Sequence, residues 1–500
     1  MKKITLYSII LISFIFSENN SQSFFTGNAN FYYISKLDDG SIINMPYRML
    51  NTSWINQHNN FELIGTLALE YQPKNNYSYL MDNPQDFLMD LRELYLTWFT
   101  SFGEIRLGRQ IQSWGFIEEN SPIDNSCAYD YNFLFESGTD RKIATNSLSM
   151  DMFYKNLKFG FTTTPFHQIN RLPSANADFP IELPVIPQDY QFMDIDNANE
   201  FGAYLQLSTN LIDIGVSYFS GYDRIYNFAG VNIPMQEGGS AFVYPNAFTG
   251  ENEVVQDTVF SYRKTEVFGT GFSMIISDLI LKADLAFFTT KSLADNIERP
   301  YYTPDPVINA LYKFSDDSFF TIPSREKVDY YQITAQAEYS FVNDLDILFQ
   351  YFKYDTTSFI SKVPLRAGET QPIPTYNDVV IEGFDPEDYF YPGMGSPLAL
   401  ITSNALLFGL DKSFYNNKLS IGMKNIIDLN DYSGFLVELD AEYKLSDRIS
   451  SFFAMNYVSG DETHPNSSSL QGSDYNKALD YPFNQMEGFS HFRMQIKYSF

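Results

Sequence analysis

The chain has 500 residues, with 33 Lys+Arg against 61 Asp+Glu and a formal net charge of −28. That excludes a general nucleic-acid binder, because phosphate is repelled and no basic stripe offsets the excess. One cysteine excludes a disulfide framework and a cysteine-rich metal site, and aromatics reach 17% of the chain as 36 Tyr and 46 Phe with only 3 Trp.

The N-terminus reads as an export signal. Met1-Lys2-Lys3 is a short positive start, Ile4 to Phe16 carries no charge, and Glu18, Asn19 and Asn20 end the apolar run. A spanning helix needs about 20 apolar residues, so this run is too short for one and matches a secretory signal peptide. Cleavage is expected after Ser17 or Ser23, and Cys127, the only cysteine, is far from any lipoprotein position. The expected organisation is a signal peptide over 1–23 and one domain over 24–500.

Beyond it the chain alternates. Tyr331, Ile333, Ala335, Ala337, Tyr339 and Phe341 share one parity, while Gln332, Thr334, Gln336, Glu338 and Ser340 share the other. Successive strand side chains point to opposite faces, so period two marks a strand. Similar runs place strands near 24–36, 45–56, 60–72, 90–101, 104–113, 144–155, 157–165, 199–210 and 211–221 in the first half. The second half adds 259–277, 278–290, 327–342, 343–357, 399–415, 417–428, 432–446, 447–459 and 489–500. That makes eighteen, or sixteen without 45–56 and 399–415. Very short polar turns (Ser101-Phe102-Gly103-Glu104, Ser277-Asp278, Asn343-Asp344, Asn416-Asn417, Asp447-Arg448) alternate with long loops near 73–89, 114–142, 166–198, 222–258, 291–326, 358–398 and 460–488. An even strand number, aromatic strand ends, short turns at one end and long loops at the other are the signature of a transmembrane antiparallel β-barrel. The expected fold class is therefore all-β, with the short turns in the periplasm and the long loops outside. In lipid an open edge would strand unpaired backbone groups, so the sheet must close.

The C-terminus alternates without a miss: Phe492, Met494, Ile496, Tyr498 and Phe500 against Arg493, Gln495, Lys497 and Ser499. This resembles the terminal strand of bacterial outer-membrane barrels, whose closing Phe is read by the assembly machinery.

Residues 91–125 carry a second resemblance. Leu91, Arg92, Glu93, Tyr95, Arg106, Leu107, Gly108, Arg109, Gln110, Trp114 and Gly115, with Pro122 and Asp124 after them, are similar to a hairpin of a family of bacterial outer-membrane porin-like barrels, largely of unassigned function. Ser121 stands where that pattern usually has Asn. Arg171-Leu172-Pro173 and the stretch from Gly215 to Asp223 are further points of likeness. The resemblance implies an outer-membrane channel for diffusion of small solutes in a Gram-negative-type bacterium. Its partners would be outer-membrane lipids, lipopolysaccharide and the assembly machinery, and a homotrimer is a common state of porin-like barrels.

The residues of the hairpin support a site. Glu104, Arg106, Gln110 and Gln112 share one parity and Ile105, Leu107 and Ile111 the other, which aims Arg109 at lipid. A bulge at Gly108 would turn Arg109 inward. Arg92, Glu93, Arg106 and Arg109 are then expected as a charged cluster on the lumen wall, with Gln110, Trp114 and Asp124 beside it. Two roles stay open for the cluster: setting solute preference, as charged rings do, or holding the loop 114–142.

Proline and acid in the later loops (Pro180, Pro184 and Pro187; Asp385, Pro386, Glu387 and Asp388) would narrow the channel if folded inward, or form an acidic surface layer if held outward. His58, His167, His464 and His491 flank no nucleophile motif, so catalysis is not expected, and neither is a metal or other cofactor. Phe219, Phe288, Phe352 and Phe452 fall on the inner parity, which keeps a channel for hydrophobic substrates as the alternative. A surface barrel or adhesin without conductance is the other.

Overall fold

A computed structural model describes residues 22–72, 87–134, 136, 138–173, 187–195, 197–235, 241, 243–245, 252–254, 257–292, 297, 319–360, 390–430, 434–460, 483 and 486–500. The expected signal peptide, apart from Gln22 and Ser23, lies outside these residues, as do Pro180, Pro184, Asp385–Asp388 and His464.

Eighteen antiparallel strands form one sheet. They are β1 (Gln22–Lys36), β2 (Tyr47–His58), β3 (Phe61–Tyr71), β4 (Phe87–Phe99), β5 (Gly103–Gln110), β6 (Thr145–Tyr154), β7 (Leu157–Thr164), β8 (Glu200–Ser208) and β9 (Ile212–Tyr222). The second half adds β10 (Lys264–Ile276), β11 (Leu279–Ser292), β12 (Glu326–Phe341), β13 (Leu345–Ile360), β14 (Asn404–Phe414), β15 (Leu419–Asp428), β16 (Gly434–Lys444), β17 (Ile449–Gly460) and β18 (His491–Ser499). Each pairs with its neighbour in sequence, and β18 pairs back onto β1 from Asn28↔Ser499 to Lys36↔His491. Phe500 completes the closure by exchanging two backbone bonds of 3.0 Å with Gly27. Both stretches on which the strand number turned, near 45–56 and 399–415, supply strands, so the barrel has eighteen.

The even-to-odd connections (59–60, 100–102, 155–156, 209–211, 277–278, 342–344, 415–418 and 445–448) are all short and lie at one end. Asn59, Asp344, Asn416 and Asn417 take the left-handed backbone such turns need, which Asn and Asp tolerate. The other connections, most of them long, gather at the opposite end.

The two parities separate as a membrane barrel requires. On β12, Gln332 and Thr334 are fully buried while Tyr339 and Phe341 are exposed. Phe31, Leu67, Leu107, Val216, Phe268, Phe287, Phe349, Leu439 and Ile496 stand exposed in the outward rows of strands all round the barrel. A continuous apolar outer belt on a closed sheet is a lipid-facing surface.

Two strand boundaries depart most from the sequence reading. The strand expected over 259–277 is broken at Tyr262-Arg263. Residues Asp257–Ser261 leave the barrel for a small sheet with Asn227–Pro234 and Phe319–Pro323. Arg263 turns inward there, buried between Asp223 (3.7 Å) and Glu326 (3.3 Å), and this polar anchor forms the corner. The strand expected from 399 starts only at Asn404, because Pro397–Leu400 forms a turn of 3-10 helix capped by the Ser396 hydroxyl.

Candidate functional site

The connection after β5 does not stay at the rim. It folds into the barrel and crosses the lumen. Its two feet are tied together: Asp124 and Lys142, 4% and 2% exposed, form an ion pair, and Lys142 also donates to Gln112 O (3.1 Å) and Ser113 Oγ (2.8 Å). The Asp124 carboxylate also accepts Trp114 N at 3.1 Å. Cys127 lies buried at this root, where burial pushes its thiol up from the usual range.

Five of the seven site residues expected from sequence support this root. Arg92 is the extra residue of a bulge in β4, because Thr66 pairs with Glu93 and Leu67 with Leu91. The bulge turns Arg92 inward, where it donates to Lys142 O (2.9 Å) and Thr139 O (2.8 Å). Glu93 accepts Ile111 N at 2.9 Å. Gln110, fully buried, donates to Ser147 O and accepts from Ser149 Oγ, each at 3.0 Å. Trp114 packs against Tyr204 and Phe219. Asp124 makes the fifth. Arg106 faces the lumen nearer the short-turn end, paired with Glu104.

Arg109 corrects the expectation. The β4–β5 register runs without a break, pairing Arg109 with Leu94 and Gly108 with Tyr95, so no bulge at Gly108 turns it inward. It stays in the outward row with Leu107, and its Nε donates to Leu91 O at 2.6 Å beside the bulge of β4. Gly108 serves close packing instead: its φ is +136°, and a Cβ there would meet Leu94 O at 2.3 Å.

Across the lumen, the loop opens a different site, formed with residues the sequence reading did not single out. Arg48 on β2 bonds Asp140 of the loop (3.3 Å) and Glu70 (3.5 Å), with its guanidinium 3.8 Å from the Phe133 ring. Arg493 on β18 reaches Glu136 of the loop (3.6 Å) and Glu438 on β16 (3.4 Å). Tyr32 donates to Glu136 at 3.5 Å. Between these residues and the wall of β1, β2 and β16–β18 runs a cavity of about 330 Å³, lined also by Asn28, Asn30, Asn51, Gln495 and Lys497. A second space of about 490 Å³ at the short-turn end is lined by Asp344, Asp346 and Lys444. Glu442 lines both, so the two spaces adjoin at that end. None of Arg92, Glu93, Arg106, Arg109, Gln110, Trp114 or Asp124 lines either space.

A second inward segment, 390–403, packs behind the loop. Gly395 N donates to Asn125 Oδ1 (2.8 Å), and Gln332 grips Met394 O (2.9 Å) and Ser396 N (2.8 Å). Beneath it Phe288 stacks on Tyr330 at 4.5 Å. At the rim the same segment meets Asp223, whose carboxyl burial pushes up to about 6 despite the nearby Arg263.

No protein-family model and no curated protein matches the sequence. Solved structures of similar form include OccAB3 of Acinetobacter baumannii, with 9% identity, TM-score 0.47, and 96% of this chain and 99% of that one covered. OccK2 (OpdF) of Pseudomonas aeruginosa has 10% identity, TM-score 0.46, and 96% and 97% covered. OmpF of Salmonella typhi has 10% identity, TM-score 0.37, and 96% and 97% covered.

Proposed function

We propose that the protein is a porin-like diffusion channel of the bacterial outer membrane that passes small hydrophilic solutes. The observation that carries this reading is the passage between the inward loop and the β1, β2 and β16–β18 wall, lined by charges of both signs and by amides. Such a lining holds water and solvates polar solutes. On this reading the short turns face the periplasm and the long loops face outward.

A path for lipophilic molecules would need an open apolar lining. Phe219, Phe288 and Phe352 do point inward, yet each is at most 2% exposed under the inward segments. Only Phe452 of the four lines the passage, and Arg493 covers its ring at 4.9 Å. Liposome swelling decides the matter. Vesicles carrying the protein should swell in small sugars and amino acids and take up labelled fatty acid no faster than empty vesicles. Uptake of fatty acid without swelling would establish the hydrophobic path, and neither response would establish a surface barrel without conductance.

A further inference from the structure

We propose that Asp284 is the positioning residue of the channel: it latches the tip of the inward loop into a glycine-floored seat on the β8–β11 wall, and so keeps the opposite passage clear. The proposal rests on the channel reading above.

The seat is visible in the wall itself. Gly202 on β8, Gly215 on β9, and Gly269 and Gly271 on β10 occupy inward positions on three adjacent strands. A Cβ at Gly202 would meet the Trp114 ring at 2.3 Å, one at Gly269 would meet Ile123 at 2.4 Å, and one at Gly215 would meet Phe116 at 3.1 Å. The wall therefore lacks side chains where the loop presses its own against it. A Cβ at Gly271 would lie 2.0 Å from Asp284 Oδ1, so that glycine makes the niche for the carboxylate.

Asp284 on β11 is fully buried, and among the described residues every hydrogen bond to its carboxylate comes from the loop. It accepts Phe116 N (3.0 Å), Ile117 N (3.1 Å) and Ser121 Oγ (2.8 Å). No cation pairs with it among the described residues. A buried anion compensated only by donors of one segment binds that segment strongly and is left uncompensated when it lifts. Gly115 thins the loop at this point: with φ +103°, a Cβ there would meet Ser121 Oγ at 2.3 Å and Asp284 Oδ2 at 2.8 Å. Beyond the tip, Asn120 extends the attachment to Gln350 (2.8 Å) and Thr334 (2.7 Å). A loop released from this wall would swing toward the passage on the other side.

The native tryptophans report on the seat. Trp54 and Trp98 stand in the outward rows, paired with Phe25 and Phe61, whereas Trp114 lies on the seat. Aqueous iodide reaches lumenal but not lipid-buried indoles. In Asp284→Asn the unitary current in planar bilayers should flicker to levels below wild type, and about a third of the emission, one tryptophan in three, should become quenchable by iodide. Gly271→Ala and Ser121→Ala should shift both readouts the same way, and they carry the test should Asp284→Asn not assemble. Barrel folding is checked by heat-dependent migration on gels. Folded variants with steady wild-type current and unquenched Trp114 would overturn the latch. A silent wild-type protein would instead defeat the channel reading, while iodide quenching would still judge the seat.

Discussion

The two sides of the lumen are built from the same alternating strands and end in opposite states. On the β8–β13 side the inward segments meet glycine, neutral polar and aromatic residues, such as Gly202, Gly271, Thr334, Gln332 and Phe288, and loop backbone caps the buried Asp284 among them. On the β1, β2 and β16–β18 side the inward positions include Arg48, Glu438, Glu442, Arg493 and Lys497 with five amides, and about 330 Å³ stays open. Short or neutral side chains let backbone approach and dry a wall. Long charged ones meet the loop through ion pairs at their tips, Arg48 with Asp140 and Arg493 with Glu136, and space remains between loop and wall.

This contrast can be broken most severely by filling the wet side. Gln495→Trp puts an indole into the passage and should cut unitary conductance by about half or more, since flow is set at the constriction. Conductance at the wild-type level would mean that solutes travel elsewhere.

A smaller effect is expected from charge. Arg493→Gln leaves Glu136 and Glu438 without their shared cation. The reversal potential in a salt gradient should move toward cation selectivity, and urea unfolding in detergent should show a loss of about 1–3 kcal/mol. An unmoved reversal potential would detach Arg493 from the ion path.

The dry side carries a pH signature at its rim. Asp223 is pushed up to about 6 by burial, so the folded state holds its proton more tightly than the unfolded chain. Its contribution is fully present below the ordinary carboxylate value and is lost as pH rises through about 6, an amount on the order of 3 kcal/mol. Asp223→Asn should flatten that part of the stability profile between about pH 4 and pH 7. A profile parallel to wild type would count against a carboxyl whose proton affinity burial raises.

The smallest effect sharpens the comparison from outside the barrel. Arg109 lies in the lipid-facing row, so Arg109→Gln should leave the reversal potential unchanged. Stability should hold or rise by less than about 2 kcal/mol as a charge leaves the apolar belt. A selectivity shift would return Arg109 to the lumen.

Much of the fold was legible because one period governs it. Burial alternates along β12 as the polar and apolar residues do, and turn parity fixed which connections share an end. The strand break at Arg263 was not legible, because Asp223 and Glu326 hold it from distant positions. The hairpin signature was readable as a pattern, yet its residues meet the loop's root rather than the passage. Arg109 went astray because the bulge belongs to Arg92 on the neighbouring strand, and register between strands is invisible in one alternating run. Glu438 and Arg493 had the right parity for the passage but no mark distinguishing them from other inward polar residues, and Arg48 shares the parity of the outward Trp54 until a break in register between Arg48 and Leu50 turns it inward. Glu136 and Asp140 lay in a loop whose path no periodicity describes. The glycines of the seat carried a signal, since four inward glycines on three neighbouring strands mark a place where backbone comes close.

The most direct measurement is single-channel recording of the refolded protein in planar bilayers, wild type beside Gln495→Trp. Discrete steps that shrink in the variant are what a water-filled passage along β18 requires. A folded barrel that gives no steps, or steps indifferent to the indole, would contradict it.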